Sequence, residues 1–232
     1  MNYQKKFDHS FTLGAYPTFE LLEKRPDEVR VIYLHPRANE EIVEKVQELS
    51  KQHKIEISDS PRFFSALKKD NVFLAAKFTK YQSILEDEDH LLLHEPEVIG
   101  NLGTILRSAL AFGIKDVAII GPSCDVFHPN CIRASMGAHF SLRIKSYTSM
   151  DEYQQQFNRP IYAFMTGDHP YLTQQHYEDK ISLLFGSESS GLSQEFEHRF
   201  HPTKIKMSTE VDSLNLSLAV GIALHHLYVG KG

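Results

Sequence analysis

Residues 89–121 read DHLLLHEPEVIGNLGTILRSALAFGIKDVAIIG. In this stretch an apolar strand pattern is followed by a helical pattern at 101–112 and then by a second apolar strand pattern. Short apolar strands that alternate with helices indicate a mostly parallel sheet whose two faces are both covered. The stretch therefore predicts an α/β fold in which ligands bind beyond the carboxyl ends of the strands.

The alternation continues on both sides of this stretch. C-terminal to it, we predict strands at 141–146, 160–167, 181–188 and 203–207 and helices at 129–137, 149–156 and 214–229. N-terminal to it, we predict strands at 29–36, 54–59 and 71–78 and helices at 38–53 and 60–70. Because the charged connector LEDEDH at 85–90 separates the two groups, we predict a small α/β domain at 1–88 and a larger one at 89–232.

The composition is that of an ordinary folded protein, with 232 residues of which 41% are hydrophobic and 24% charged. No apolar targeting segment opens the chain, and Asn215 and the pair His225 and His226 interrupt its most apolar stretch. We therefore expect a cytoplasmic protein without a membrane anchor. The two cysteines, Cys124 and Cys131, have the spacing of neither a redox pair nor a zinc site, so we expect reduced thiols.

The net charge of −5 argues against nucleic-acid binding by bulk electrostatics, but the charge is unevenly distributed. Residues 1–80 hold 14 Lys+Arg against 12 Asp+Glu, whereas the remainder holds 11 against 18. A contact with a polyanion is therefore expected to start on the N-terminal part. The candidate residues are Lys68, Lys69, Lys77 and Lys80, although surface lysines are more often only solvated.

Two stretches contain polar residues that can be explained either by a structural role or by a functional one. In the helix at 101–112, the apolar stripe leaves Arg107 on the opposite side, where an arginine is usually solvated, and Asn101 can be an N-cap. In LLFGSESSGLS at 183–193, Gly186 ends an apolar strand and Glu188 follows in a turn. Glycine at a strand end lets the backbone approach a ligand, but glycine and serine also simply form turns.

A third stretch, TKIKMSTEVDSLNLSLAVGIALHHL at 203–227, leads into a helix that is apolar on almost every side. Such a helix must be covered on more than one side, either in a dimer or within one chain. We predict Ser213 as its N-cap, whereas propensity alone does not explain Asn215 in the first turn.

Together these stretches resemble motifs 1, 2 and 3 of the SpoU (TrmH-like) RNA 2′-O-methyltransferases, in order and at suitable spacing. The matching residues are Asn101, Gly103 and Arg107 in motif 1, Gly186, Glu188, Gly191 and Leu192 in motif 2, and Ser213, Leu214, Asn215 and Ser217 in motif 3. The preceding unit, which contains TLGAYPTFELLEKRP, resembles the ribosomal-protein-L30-like substrate domain of many members. Many members have Asp-Pro shortly before the motif 1 asparagine, whereas this chain has Glu95-Pro96, five residues before Asn101.

The resemblance implies a SPOUT fold, in which the C-terminal chain of a parallel α/β sheet forms a deep trefoil knot, and it implies a homodimer. It also implies that S-adenosylmethionine binds in the knotted loops and that no metal is required. Backbone groups at loop turns would contact the adenine edge, and apolar side chains would cover its faces. The implied cofactor-binding residues are Thr166, Gly167, Gly186, Ile205, Met207 and Leu214.

The implied reaction methylates a ribose 2′-hydroxyl in ribosomal or transfer RNA, and the N-terminal domain is expected to deliver that RNA. Arg107 is implied to assist loss of the hydroxyl proton. Because a guanidinium stays protonated in proteins, we favour a role in which Arg107 holds an RNA phosphate and stabilises the developing oxyanion. The residues implied to orient Arg107, the loops and the ribose are Asn101, Glu188, Ser213 and Asn215.

Two other classes of protein remain open at this point. A catalytically inactive RNA-binding relative would share the fold but is expected to have lost some polar motif residues, and Asn101, Arg107, Glu188 and Asn215 are all present. A nicotinamide-dependent dehydrogenase would share the alternating pattern, but no predicted strand is followed by G-x-G-x-x-G.

Overall fold

The computed structural model describes residues 3–67, 71–177 and 179–231. The strands are β1 (His9–Leu13), β2 (Val29–Leu34), β3 (Ile57–Ser58), β4 (Leu74–Thr79), β5 (His90–His94), β6 (Asp116–Ile120), β7 (Arg143–Tyr147), β8 (Ile161–Phe164), β9 (Ser182–Phe185) and β10 (His201–Thr203). The α-helices are α1 (Ala15–Lys24), α2 (Glu40–His53), α3 (Pro61–Leu67), α4 (Ile99–Ala111), α5 (Pro129–Ala134), α6 (Met150–Gln156), α7 (Glu195–Arg199) and α8 (Leu216–Lys231). Two of the predicted RNA contacts, Lys68 and Lys69, lie outside the described residues.

The larger sheet has the strand order β10-β8-β9-β5-β6-β7, and every neighbouring pair in it is parallel. All residues of β6 and β9 are buried, as expected for inner strands of a covered parallel sheet. The prediction of a parallel α/β sheet is confirmed. Because β10, β8 and β9 are parallel neighbours, the segments that follow these three strands leave the sheet next to one another, at the carboxyl ends of the strands.

Most predicted helices and strands are present, but β1, α1 and α7 were not predicted. The predicted strand TKIKM at 203–207 is wrong, because β10 ends at Thr203 and only an isolated bridge joins Lys204 to Tyr171. The physical reason is that β10 pairs with β8 alone, and the last paired residue of β8 is Phe164. The residues after Lys204 therefore have no partner strand.

The smaller sheet has the order β1-β4-β2-β3, with β4 antiparallel to both β1 and β2. One face is covered by α1 and α2, whose Leu22 and Val46 pack against Ile32 and Leu74. The opposite face is covered in part by α3, whose Phe64 belongs to a separate apolar cluster. This sheet therefore has one fully packed face and one face that α3 covers incompletely.

The chain divides into two compact units, and the division differs from the predicted boundary at 88/89. The first unit combines Met1–Tyr81 with Asp125–Ser141, and the second combines Gln82–Cys124 with Leu142–Gly232. Residues 125–141 belong to the first unit because Ile132 and Phe140 share its apolar core with Leu21 and Phe78. The pattern of strands and helices along the chain could not reveal this grouping, since it depends on contacts between distant segments.

His139 is buried in the first unit without a polar partner. It is 1% exposed, and neither ring nitrogen has a hydrogen-bond partner among the described residues. Its neighbours are aromatic: the Phe127 and Phe140 rings lie 4.8 and 5.3 Å from its ring centroid. Burial lowers the pKa of His139 to about 3, against an attraction from Asp125 that raises it.

We expect His139→Phe to make the free energy of unfolding less dependent on pH in acid. Between about pH 6.5 and the folded pKa of about 3, unfolded His139 takes up a proton that the folded protein excludes. The free energy of unfolding therefore falls as the pH falls, by up to ~1.4 kcal/mol per pH unit from this group. Urea unfolding of the first unit at several pH values measures the slope. The wild-type protein over the same pH range gives the reference slope, and an equal slope in the two proteins would contradict the prediction.

Candidate active site

The turn after β9 holds the start of α4 through one carboxylate. Helix α4 begins at Ile99, and its N-cap residue Val98 provides no side-chain hydrogen bond. Instead, Glu188 Oε2 accepts a hydrogen bond from the Glu97 N–H at 2.9 Å, and Oε1 accepts one from the Val98 N–H at 3.2 Å. A carboxylate is favourable here because the first N–H groups of a helix lack intrahelical partners and carry partial positive charge. Glu188 is therefore a tertiary cap of α4 and not a solvated turn residue.

The same carboxylate joins polar residues from all three sequence motifs. Asn101 Nδ2 donates to Glu188 Oε1 at 3.1 Å, and Asn215 Nδ2 donates a longer hydrogen bond to Asn101 Oδ1 at 3.4 Å. Asn101 lies in the first turn of α4 and is not its N-cap, because the helix starts two residues earlier. The structure thus brings together Asn101, Glu188 and Asn215, which are far apart in sequence. We call these three residues the polar cluster.

Asn215, and not Ser213, caps helix α8. Asn215 Oδ1 accepts hydrogen bonds from the Ser217 N–H at 2.9 Å and from the Ser217 hydroxyl at 2.7 Å. The predicted N-cap is wrong because Ser213 is exposed and lies too far before the first helical residue. Capping explains an asparagine at this position, and it also holds the side-chain amide that reaches Asn101.

Arg107 lies on another side of α4. It is exposed, and its side chain forms no hydrogen bond or ion pair with the part of the chain that the structure describes. Six helical residues correspond to about 600° of rotation and about 9 Å of rise, so its side chain leaves α4 about 120° away from that of Asn101. Within one chain, Arg107 is therefore not part of the polar cluster, and its guanidinium is open to an incoming group.

Two acidic residues before α4 belong to the framework of the site and were not predicted. Glu97 Oε1 accepts a hydrogen bond from the Ser189 hydroxyl at 2.6 Å, a further link between this loop and the turn after β9. Glu95 precedes Pro96 and has a left-handed backbone with a φ of 54°, which is unfavourable for a residue other than glycine. The Glu95 side chain lies against Gly121, at the carboxyl end of β6. The acidic pair in HEPEV was the sequence signal for both residues.

Gly186 is required by the turn itself. A Cβ on this buried residue would lie 2.1 Å from the carbonyl carbon of Gly191 and 2.5 Å from the Leu192 nitrogen. The turn closes tightly because the Gly191 N–H donates to the Ser187 carbonyl at 3.1 Å. The sequence predicted that glycine here admits a ligand, whereas the close neighbour in the structure is the backbone of the turn that carries Glu188.

The other predicted cofactor residues follow β8 and β10 or precede α8. Thr166 and Gly167 are exposed just after β8, and Gly167 has a φ of 120°, which glycine readily adopts. Ile205 follows β10 and is half-buried, Met207 is 36% exposed, and Leu214 is half-buried before α8. These segments lie at the same carboxyl edge of the sheet as the turn after β9, which carries Glu188. Within residues 3–67, 71–177 and 179–231, no group of three or more His, Cys, Asp or Glu is placed to hold a metal ion.

Helix α8 buries one side and exposes an apolar stripe on the other. Val220 and Leu224 are buried, whereas Leu218 is 53% and Ile222 is 37% exposed. The exposed stripe and the outer side of α4 form a groove of about 490 Å³. The residues that line the groove are Thr104, Ser108, Phe112, Ser217, Leu218, Gly221, Ile222 and His225. No helix in the described part of the chain has the length and apolar character needed to cross a membrane.

The fold and the site define an α/β protein with a polar cluster at the carboxyl edge of a parallel sheet, where α/β proteins bind ligands. The family model described as the SpoU rRNA Methylase family matches residues 88–225. The chain belongs to this family.

Comparisons with individual proteins agree with the family. The chain is 32% identical over 174 residues to the 23S rRNA (adenosine(1067)-2′-O)-methyltransferase of Streptomyces laurentii, a match that covers 70% of this chain and 63% of that protein. Matches to three of the curated relatives cover only 51% to 63% of their lengths.

Two solved structures have the same fold. The SpoU methyltransferase AviRb from Streptomyces viridochromogenes superposes with a TM-score of 0.83 at 21% identity, covering 97% of this chain and 90% of that one. The AdoMet-bound rRNA methyltransferase from Sinorhizobium meliloti superposes with a TM-score of 0.82 at 22% identity, covering 96% and 88%.

Proposed function

We propose that this protein transfers a methyl group from S-adenosylmethionine to a ribose 2′-hydroxyl of ribosomal or transfer RNA. The observation that carries the proposal is the polar cluster, in which Glu188 and Asn215 hold Asn101 at the carboxyl edge of the sheet. Family membership supports it, as do the 2′-O-methyltransferase name of the Streptomyces laurentii relative and the AdoMet-bound structure from Sinorhizobium meliloti. The inactive alternative gains no support, because every polar motif residue is present.

The segments along this edge fit S-adenosylmethionine chemically. Exposed Thr166 and Gly167 offer backbone groups, of which the Gly167 carbonyl accepts from Lys204 Nζ at 3.0 Å, and the half-buried Ile205 and Leu214 offer apolar surface. An adenosine group requires this combination of polar edge contacts and apolar faces. When bound, the cofactor supplies an electrophilic methyl group, so the protein needs to bind and align the hydroxyl and to stabilise the charge that develops on its oxygen.

The protein's own part of the reaction is alignment and charge stabilisation. The 2′-hydroxyl must pass its proton to the RNA phosphate or to solvent while its oxygen is held in line with the methyl group. Because a guanidinium stays protonated in proteins, Arg107 holds an RNA phosphate through a bidentate contact and stabilises the negative charge that develops on the ribose oxygen. The polar cluster fixes α4, and thereby the direction from which Arg107 meets the RNA.

The finer features of the family are part of the same proposal. We propose that the chain after β10 threads a loop to form a trefoil knot, which is supported by the packing of α8 against both α4 and the short 3₁₀ turn Leu172–Gln174. We also propose that the N-terminal α/β unit is the RNA substrate domain. Its support is its slight excess of basic residues and the absence from it of all three motifs.

We propose a homodimer that forms through the groove between α4 and α8. Half-exposed Leu218 and Ile222 would be covered there, and burying the exposed part of each contributes roughly half of the ~1.5–3 kcal/mol that full burial of such a side chain is worth. Arg107 is adjacent in sequence to Ser108, which lines the groove, so pairing would bring it close to a second copy.

Ile222→Glu is therefore expected to convert the dimer to a monomer. In a two-fold interface each substitution occurs twice, so two charges would be buried without partners. Sedimentation velocity over a range of concentrations measures the mass. Ile84→Glu, at an apolar residue that is 82% exposed outside the groove, should leave the dimer intact. A wild-type protein that stays monomeric at every concentration would remove the dimer proposal.

The proposed function is tested by mapping 2′-O-methyl sites in total RNA from cells with and without the gene. We expect at least one ribose methylation in ribosomal or transfer RNA to disappear with the gene and to return when it is restored. Unchanged maps would count against the proposal and in favour of an inactive relative.

A further inference from the structure

The incompletely covered face of the smaller sheet carries a row of residues typical of nucleic-acid contacts. Strand register places Lys77 of β4 directly between Phe11 of β1 and Val31 of β2. Alternate residues of a strand share a face, so His9 lies on the same side as Phe11. We name the surface formed by the following residues the aromatic face: Phe7, His9, Phe11, Tyr33, Phe63 and Lys77.

The rings of the aromatic face form a continuous run. Phe7 stacks on His9 with 5.2 Å between ring centroids, and His9 meets Phe11 edge-on at 5.5 Å. Phe63 of α3 lies 5.7 Å from Phe11 and stacks on Tyr33 at 4.0 Å. Apart from Phe11, these rings are only half-buried. The existing stacks leave ring faces and edges on which a further flat group can lie.

The charges of this unit differ between its two sides. The side chain of half-buried Lys77 forms no ion pair or hydrogen bond with any described residue. Asp8 lies beside the aromatic face, where Arg30 at 2.7 Å and His9 Nδ1 at 2.8 Å hold its carboxylate, and hydrogen bonds from Arg30 and then His9 lower its pKa to about 2. The acidic residues of α2 belong to the opposite side, because α2 packs on the other face of the sheet. These residues are Glu40, Glu41, Glu44 and Glu48.

Lys80, one of the predicted RNA contacts, does not contribute to this surface. Its ammonium group donates to the Lys5 carbonyl at 2.8 Å, lies 3.6 Å from Asp125 Oδ2 and stands 4.9 Å from the Tyr3 ring centroid. A lysine that is held in this way has few donors left for a phosphate. Of the predicted lysines that the structure describes, Lys77 is therefore the better candidate.

We propose that the aromatic face binds unpaired nucleobases of a single-stranded RNA segment, with Lys77 facing a phosphate. Stacking of bases on aromatic rings beside an unpaired cation is the general way in which single strands are bound. An apolar protein surface would bury Lys77 without compensation, whereas RNA supplies both flat bases and the opposite charge. Duplex RNA does not fit, because its bases are already stacked inside the helix. The inference rests on the proposed RNA-methylating function, which makes RNA the polyanion to be bound.

The test measures binding of a labelled oligouridine to the full chain by fluorescence anisotropy. We expect His9→Ala and Phe63→Ala each to weaken binding about 5- to 100-fold, the range found for loss of one stacked base. We expect Lys77→Gln to weaken binding and to reduce the salt dependence by about one released ion. A duplex of the same length should bind more weakly than the single strand.

Two matched substitutions on the opposite side serve as controls. Tyr16→Ala removes an aromatic ring that is 70% exposed on α1, and Lys51→Gln removes an exposed lysine of α2. Both should leave oligouridine affinity unchanged. If the aromatic-face variants bind like wild type, or if they change only the self-association of the protein, the proposal is overturned.

A crosslinking measurement on the wild-type protein avoids any effect of substitutions on folding. Oligouridine that contains 4-thiouridine should crosslink to peptides with Phe7–Phe11, Tyr33 or Phe63, and crosslinks confined to other segments would overturn the proposal. Methyl transfer by the wild-type protein tests the proposed function separately. If RNA binds through the aromatic face but no methyl group is transferred, the binding inference stands and the proposed function fails. If methyl groups are transferred but crosslinks form only elsewhere, the proposed function stands and the binding inference fails.

Discussion

Arg107→Ala is expected to lower methyl transfer to RNA by about 100- to 1000-fold, the loss found when one oxyanion-stabilising donor is removed. S-adenosylmethionine affinity should stay near that of wild type, because Arg107 is exposed and lies on a different side of α4 from the polar cluster. Arg107→Lys should also fail, since a point charge does not reproduce the planar fork that binds a phosphate through two hydrogen bonds. Single-turnover transfer and calorimetric cofactor binding measure the two effects.

The control for Arg107 is Lys115→Ala, which removes an exposed cation near the amino end of β6. It should leave transfer unchanged, so that a general loss of positive charge cannot explain the effect at Arg107. Wild-type turnover in Arg107→Ala would end the assignment. A parallel loss of cofactor affinity would instead place the arginine beside the methyl donor.

Gly186→Val is expected to weaken S-adenosylmethionine binding by about 100-fold or more, corresponding to ~3 kcal/mol. A Cβ 2.1 Å from the Gly191 carbonyl carbon cannot be accommodated by side-chain rotation, so the backbone of the turn must move. That movement displaces Glu188 from the N-terminus of α4 and opens the polar cluster. Calorimetric titration with the cofactor measures the loss.

Gly230→Val is the matched control, because a Cβ at Gly230 meets no atom within 4 Å. It should bind the cofactor like wild type. Unchanged affinity in Gly186→Val would show that the turn after β9 is not part of the cofactor site. Gly186→Ala is expected to fall between the two, since the Cβ alone already meets the backbone.

The sheet could be predicted from the sequence because its strands are short, apolar and separated by helical patterns. HLLLH and DVAII are such strands, and they pair in parallel as expected. What could not be predicted is the membership of residues 125–141 in the first unit, where Ile132 and Phe140 complete its core. We therefore expect a fragment that starts at residue 89 to expose those side chains, and full-length protein is needed to test the function of either domain.

The motifs single out the residues of the polar cluster, and the structure brings Asn101, Glu188 and Asn215 together. Sequence periodicity could not show that Asn215 caps α8, since a cap depends on the residue at which a helix begins. It also could not show that Gly186 accommodates neighbouring backbone, because the same glycine signal fits a ligand and a tight turn. The roles of Thr166, Gly167, Ile205, Met207, Leu214 and Ser213 stay predictions.

The most direct test of the central claim is the chemical identity of the product. Purified protein is incubated with isotopically labelled S-adenosylmethionine and ribosomal or transfer RNA, and the RNA is digested to nucleosides and analysed by mass spectrometry. We expect the label in a 2′-O-methylnucleoside, which Arg107→Ala should form about 100- to 1000-fold more slowly. Label on a base, or no label from a protein that binds the cofactor, would contradict the proposed ribose methylation.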